Sequence, residues 1–162
     1  MSYAVSLRKI LLVVFVGFLM TSCATQKKTA KESASGLIQS DIYTGKDTVE
    51  FLATGVPDRV FFATNKSILT TASRDTLRKQ AAWMRKNKDI TVTVEGHADE
   101  RGTREYNLAL GDRRANAVKD YLLTYGISGG RLSVISYGKE RPVNSGSSPL
   151  AWSQNRRSVT VK

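Results

Sequence analysis

The sequence predicts an α/β two-layer sandwich: one sheet with helices packed on one face. Three observations predict it. Short segments with period-two apolar alternation take turns along the chain with two long segments of helical period. Turn residues punctuate the changes of period, as in "TGVPD" and "YGISGG". The 162 residues, 24% charged and 41% hydrophobic, suit one globular domain of ordinary size plus a tail.

The elements follow in order. "TVEFLA" and "RVFFA" are short strands separated by "TGVPD", and form either a hairpin or one bent strand. Thr70–Lys88 reads as a helix, because Leu77, Ala81 and Met84 make one stripe. Thr70 or Thr71 caps it, Asp75 lies in its first turns, and "RKNK" supplies the cations that suit a C-terminus. "DITVTVEG", Asp89–Gly96, alternates as a strand. Tyr106–Tyr125 is a second helix, ended by Gly126. "RLSVISYG" is a strand with Leu132, Val134 and Ser136 on one face. "LAWSQNRR" forms a helical turn after a loop, and "RRSVTVK" is the last strand.

The N-terminal part reads differently. Arg8 and Lys9 precede the apolar run Ile10–Met20, about half the length of ~20 residues that a membrane-spanning helix needs. A basic start, a short apolar run and small residues before a cut site make a secretory signal. Thr21 and Ser22 lead to Cys23, the only cysteine. Its place, ending the apolar run and opening a polar tail, resembles the bacterial lipoprotein signal, in which the cysteine is lipidated. Ordinary cleavage nearby, leaving a free thiol, is the other reading. The expected division is residues 1–22 signal peptide, 23–46 lipidated N-terminus and tether, 47–162 folded domain. The tether carries "TQKKTAKESASG", too poor in large apolar residues to offset chain entropy. It spans at most roughly 80 Å. "GLIQSDIY", Gly36–Tyr43, reads as a loop arm. Ala24 follows the cysteine where a retention-type aspartate would stand, which favours the outer membrane.

The formal charge is +11, which favours anionic surroundings. The sharpest constellation is "GHADERGTREYNLALGDRRA", Gly96–Ala115. On the second helix Leu110, Ala117, Val118, Tyr121 and Tyr125 form the apolar stripe, and Arg114 sits within it. An inward arginine is costly unless its charge is met. Asp99, in the loop feeding the helix, is the nearest suitable acid. Two readings stay open. Asp99 and Arg114 form a structural ion pair, or they stand apart and share a zwitterionic guest. In the second, the acid takes an ammonium and the planar guanidinium takes a carboxylate, with the helix N-terminus adding free N–H donors.

Val94–Leu122, "VEGHADERGTREYNLALGDRRANAVKDYL", with "SYGKE" and "NRR" further on, resembles the OmpA-like peptidoglycan-binding domain family, over roughly Arg59–Lys162. The resemblance implies a β-α-β-α-β-β domain with one mixed sheet. It implies a non-catalytic grip, without cofactor or metal, on the diaminopimelate of the peptidoglycan stem peptide. By the family pattern Asp99 takes the ammonium and Arg114 a carboxylate. Arg101 and Leu110 line the same pocket, Thr64 and Asn65 offer contacts from the loop after the first strand, and Asn107 orients the loop or the ligand. The lipoprotein members of the family imply a protein anchored by Cys23 to the periplasmic face of the outer membrane. They also imply the Tol system as partner in envelope integrity and division, the β-propeller protein TolB competing for the wall-binding face. Asn65 and Arg104 depart from the residues frequent there, Asp and Pro, and make the site more basic.

Other readings are weaker. Glu95, His97 and Asp99 share strand parity, but one histidine with two carboxylates is thin evidence for a metal-dependent wall hydrolase. His97 is read instead as supporting the loop by hydrogen bonding. Trp83 and Trp152 could stack bases, but an exported protein does not meet nucleic acid. An exported basic module for another anionic polymer is the remaining alternative.

Overall fold

The computed structural model describes Tyr43 and residues 49–162. The signal, Cys23, the tether and most of Gly36–Tyr43 lie outside the described residues. The described elements are β1 (Phe51–Ala53), β2 (Val56–Pro57), β3 (Arg59–Phe61), α1 (Thr71–Lys86), β4 (Val92–His97), α2 (Arg104–Thr124), a 3₁₀ turn (Gly129–Arg131), β5 (Leu132–Gly138), α3 (Pro149–Asn155) and β6 (Arg157–Val161).

The main sheet has the order β3-β6-β4-β5. It is mixed: β4 and β5 are parallel, while β6 runs antiparallel to both β3 and β4. The two long helices, α1 and α2, pack on one face. Val60 and Phe62 from the β3 region, Val92 and Val94 from β4 and Leu132 from β5 meet Leu77, Ala81 and Met84 of α1 and Ala115, Val118 and Leu122 of α2. The strand alternation that puts Val92 and Val94 inward turns Thr93, Glu95 and His97 to the opposite face.

The helix ends have local causes. Thr70 Oγ1 accepts from the Ser73 N–H at 3.1 Å, and Thr103 Oγ1 from the Tyr106 N–H at 3.2 Å. Arg85 and Lys86 occupy the last turn of α1. Arg131 donates to the carbonyls of Met84, Asn87 and Ile90, closing that end. Gly126, at φ +78°, terminates α2.

Two expectations are corrected. "TVEFLA" and "RVFFA" do not pair with each other. β1 turns back through Gly55 onto β2 as a separate ribbon, while β3 pairs with β6, about a hundred residues away in sequence. The inward line of α2 is also rotated from the predicted stripe. Leu110, Gly111, Arg114, Ala115, Val118 and Leu122 are buried, whereas Ala117, Tyr121 and Tyr125 are half-buried. Small residues cause the rotation. A Cβ on Gly96 would lie 1.9 Å from the Gly111 carbonyl oxygen, so α2 meets β4 backbone to backbone.

Candidate functional site

That close approach brings the middle of α2 down on the end of the sheet where β3 and β4 finish and β6 begins. Arg114 projects into this corner and is fully buried. Its Nε donates to the Lys66 carbonyl at 2.9 Å, Nη1 to the His97 carbonyl at 2.7 Å and Nη2 to the Ala63 carbonyl at 3.1 Å. The guanidinium lies 5.3 Å from the Phe62 ring centroid. Burial, then the nearby Arg156 charge, lower its pKa to about 10, against a pull from Asp99. It therefore stays protonated at neutral pH. A guanidinium has five N–H donors, so three carbonyl bonds leave donors over. The turn 63–66 supplies two of the carbonyls and is closed by the Lys66 N–H on Ala63 O. Asn65 holds its tip at φ 55°, a conformation asparagine tolerates. Thr64 is half-buried beside it and Asn65 exposed.

Asp99 sits in the same corner, 7% exposed, and it does not pair with Arg114. Its Oδ1 accepts from the Arg101 N–H and Nε, each at 3.1 Å. Its Oδ2 accepts from Arg101 Nη2 at 2.8 Å and from Arg156 Nη1 at 3.5 Å. Burial works to raise the Asp99 pKa, but the hydrogen bonds from Arg101 and the charges of Arg101 and Arg156 hold it below the ordinary carboxylate range. Of the two open readings, the structural Asp99–Arg114 ion pair is therefore overturned. Backbone carbonyls satisfy the arginine instead.

Leu110 is buried one turn before Arg114. Asn107 is buried and donates Nδ2 to the Arg101 carbonyl at 2.9 Å, so it orients the loop. Arg156 is a site residue that the sequence reading missed. It is buried, and its Nε donates to Phe62 O at 3.1 Å while Nη1 reaches Asp99. The rim is built by Glu100. Its Oε1 accepts from Trp152 Nε1 at 2.7 Å and its Oε2 from Ser147 Oγ at 3.1 Å. The Arg101 guanidinium stacks 4.4 Å from the Trp152 centroid. Lys139 Nζ ties the loop from below, on Gly102 O at 2.8 Å.

Two details correct the reading. Arg104 pairs with Glu140 at 3.3 Å, so its charge is met outside the pocket. His97 gives the site its carbonyl, not its ring. The ring is 1% exposed on the other face of the sheet, and neither nitrogen makes a well-formed hydrogen bond, the Arg141 backbone being a weak polar contact of the ring. Nε2 lies 3.4 Å from Glu95 Oε2 without hydrogen-bond geometry. Burial first, then the Arg157 charge, lower its pKa to about 3, against an upward pull from the Arg141 backbone; the charges of Arg141 and Arg59 add to the fall. Among the described residues, no three His, Cys, Asp or Glu side chains converge as metal ligands.

Residues 61–156 match the OmpA family. The chain belongs to the OmpA family. The matched stretch holds every site residue named above. A peptidoglycan-associated lipoprotein of Mesorhizobium japonicum is 43% identical over 155 residues, which are 95% of this chain and 92% of that one. One of Brucella melitensis biotype 1 is 41% identical over 152 residues, 94% of this chain and 90% of the relative. The crystal structure of the peptidoglycan-associated lipoprotein from Burkholderia pseudomallei superposes with a TM-score of 0.65 at 31% identity, covering 74% of this chain and 98% of that one. In this OmpA-family domain the mixed sheet and one-sided helices predicted from sequence are present.

Proposed function

We propose that this protein is an envelope lipoprotein that binds peptidoglycan without covalent chemistry, gripping the side-chain end of diaminopimelate in the stem peptide. The observation that carries the reading is the separation of the two charges in one buried corner. Arg114 is held by neutral carbonyls, so its positive charge is not spent on an internal acid. Its spare N–H donors suit both oxygens of a carboxylate. Asp99, kept ionised, suits the neighbouring ammonium. Leu110 supplies an apolar wall for the guest's methylenes, Thr64 and Asn65 the loop contacts, and Asn107 fixes the Arg101 loop. Relatives named as peptidoglycan-associated lipoproteins, similar over nearly the whole chain, support the same reading.

The rest of the proposal follows from it. Residues 1–22 are the signal peptide, Cys23 carries the lipid, residues 23–46 are the tether and 47–162 the wall-binding domain. Several acyl chains, each buried CH₂ contributing about 0.8 kcal/mol, hold the periplasmic face of the outer membrane, and the domain holds the wall. Many such links in parallel tolerate modest single-site affinity. The Tol system is the proposed partner, with TolB competing for the wall-binding face, and the chain acts as a linker and not as an enzyme.

The test is co-sedimentation of the full-length protein in detergent with diaminopimelate-type peptidoglycan, for wild type, Asp99→Ala and Arg114→Lys, with the melting temperature of each. Wild type pelleting with the wall while both folded variants stay in solution is the expected result. A wild type that stays in solution would sink the proposal.

A further inference from the structure

The acceptor capacity of Asp99 is full. A carboxylate offers about four lone-pair positions. Arg101 takes three, through its N–H, Nε and Nη2, and Arg156 Nη1 approaches the fourth. An ammonium arriving at Asp99 must therefore displace a donor. The Arg101 N–H is fixed by the backbone, and that loop is held by Asn107 on the Arg101 carbonyl. Arg156 is 4% exposed and anchored on the Phe62 carbonyl. The Arg101 side chain is the one donor group that can leave: it is 43% exposed, and its guanidinium already stacks on the Trp152 ring. The edge of that same indole donates to Glu100, the carboxylate next to Arg101 in the chain. Glu100 accepts one bond on each oxygen, which leaves it room for more.

We propose that the Arg101 side chain is a latch: it covers Asp99 in the empty site and moves to Glu100 along the Trp152 face when a guest's ammonium takes its place. The inference rests on the proposed grip on a diaminopimelate side chain and adds a cost and a moving part to it. Binding exchanges one cation on Asp99 for another. The net charge of the corner then changes little on the acid side, and Trp152 and Glu100 act as positioning residues that set how readily the latch opens.

The experiment uses the full-length protein in detergent and a soluble muropeptide whose diaminopimelate ammonium and side-chain carboxylate are both free. Affinity and association rate are measured for wild type, Arg101→Ala, Arg101→Gln, Glu100→Gln and Asp99→Ala, with melting temperatures. Both Arg101 variants are expected to bind about two- to fivefold tighter and associate faster, the range of a half-exposed ion pair, while Glu100→Gln binds more weakly. In a Trp83→Phe background, Trp152 emission is expected to shift on binding and to stop shifting in Arg101→Gln. Unchanged or weaker binding by both Arg101 variants overturns the latch, as does a Trp152 emission that ignores the muropeptide. Failure of the function itself looks different: no variant binds at all, or Asp99→Ala binds as wild type does.

Discussion

Arg114 and Arg101 belong to one site and are held in opposite ways. Arg114 is buried, rises from the middle of a long helix and is fixed by three carbonyls, two from the turn 63–66 and one from the end of β4. Arg101 is half-exposed, comes from a loop, and leans on the Asp99 carboxylate and the Trp152 face. The first is a floor, set by the fold before any guest arrives. The second is a rim, set by contacts that water and guests can replace. The same side chain is structural in one place and adjustable in the other because its partners differ: peptide carbonyls cannot move without the sheet, whereas a side-chain carboxylate can exchange partners.

The strongest way to break the floor is Gly96→Ala. The added Cβ meets the Gly111 carbonyl carbon and oxygen, so α2 must lift off β4. We expect a loss of about 4 kcal/mol or more, read as a collapse of the denaturation midpoint. Arg114→Ala leaves three carbonyls without their donor and a void behind. The expected loss is about 3–5 kcal/mol in urea unfolding, together with loss of wall binding. Arg114→Lys should keep most of the stability and lose the binding, which separates the two roles.

His97 sharpens the comparison through pH. Its carbonyl belongs to the floor, while its ring is buried on the far side of the sheet. The folded pKa is lowered to about 3. Below about pH 6.5 the unfolded chain takes up a proton that the folded one refuses. Stability is therefore full above about 6.5 and declines as pH falls toward 3, with a slope approaching about 1.4 kcal/mol per pH unit. His97→Gln should remove that part of the slope in thermal melts taken across the window. Asp99 acts lower: its pKa is depressed, so its contribution is present above about pH 4 and fades as pH falls through its folded value.

The rim should yield the smallest effect. Trp152→Ala removes a half-exposed stacking contact worth about 0.5–1 kcal/mol and the indole donor to Glu100. A small drop in melting temperature and a changed muropeptide association rate are expected. A change as large as that of Arg114→Ala would mean that the rim is part of the floor.

Local pattern made much of this legible. Leu77, Ala81 and Met84 marked α1, Thr70 its cap, and Val92 and Val94 the inward side of β4. Two things were not legible. The acid facing Arg114 was sought among side chains, but its partners are the carbonyls of Ala63, Lys66 and His97, and every residue has a carbonyl. Arg156 was missed because 57 residues separate it from Asp99, and only the insertion of β6 between β3 and β4 brings them together. The rotation of α2 escaped for a related reason: a helical wheel rewards large apolar residues such as Tyr121 and Tyr125, while the packing was decided by Gly96 and Gly111, which have nothing to bury.

That insertion of β6 also ties the site to the last strand of the domain. β3 touches the rest of the sheet only through β6, and Arg156 stands immediately before that strand. Without residues 156–161, β3 has no strand neighbour in the sheet, Phe62 O loses the Arg156 donor, and Asp99 lacks one of its cations. Completion of the sheet and assembly of the cation pair around Asp99 are thus one and the same structural event. The last seven residues carry both the strand that seats β3 and one of the two arginines on Asp99.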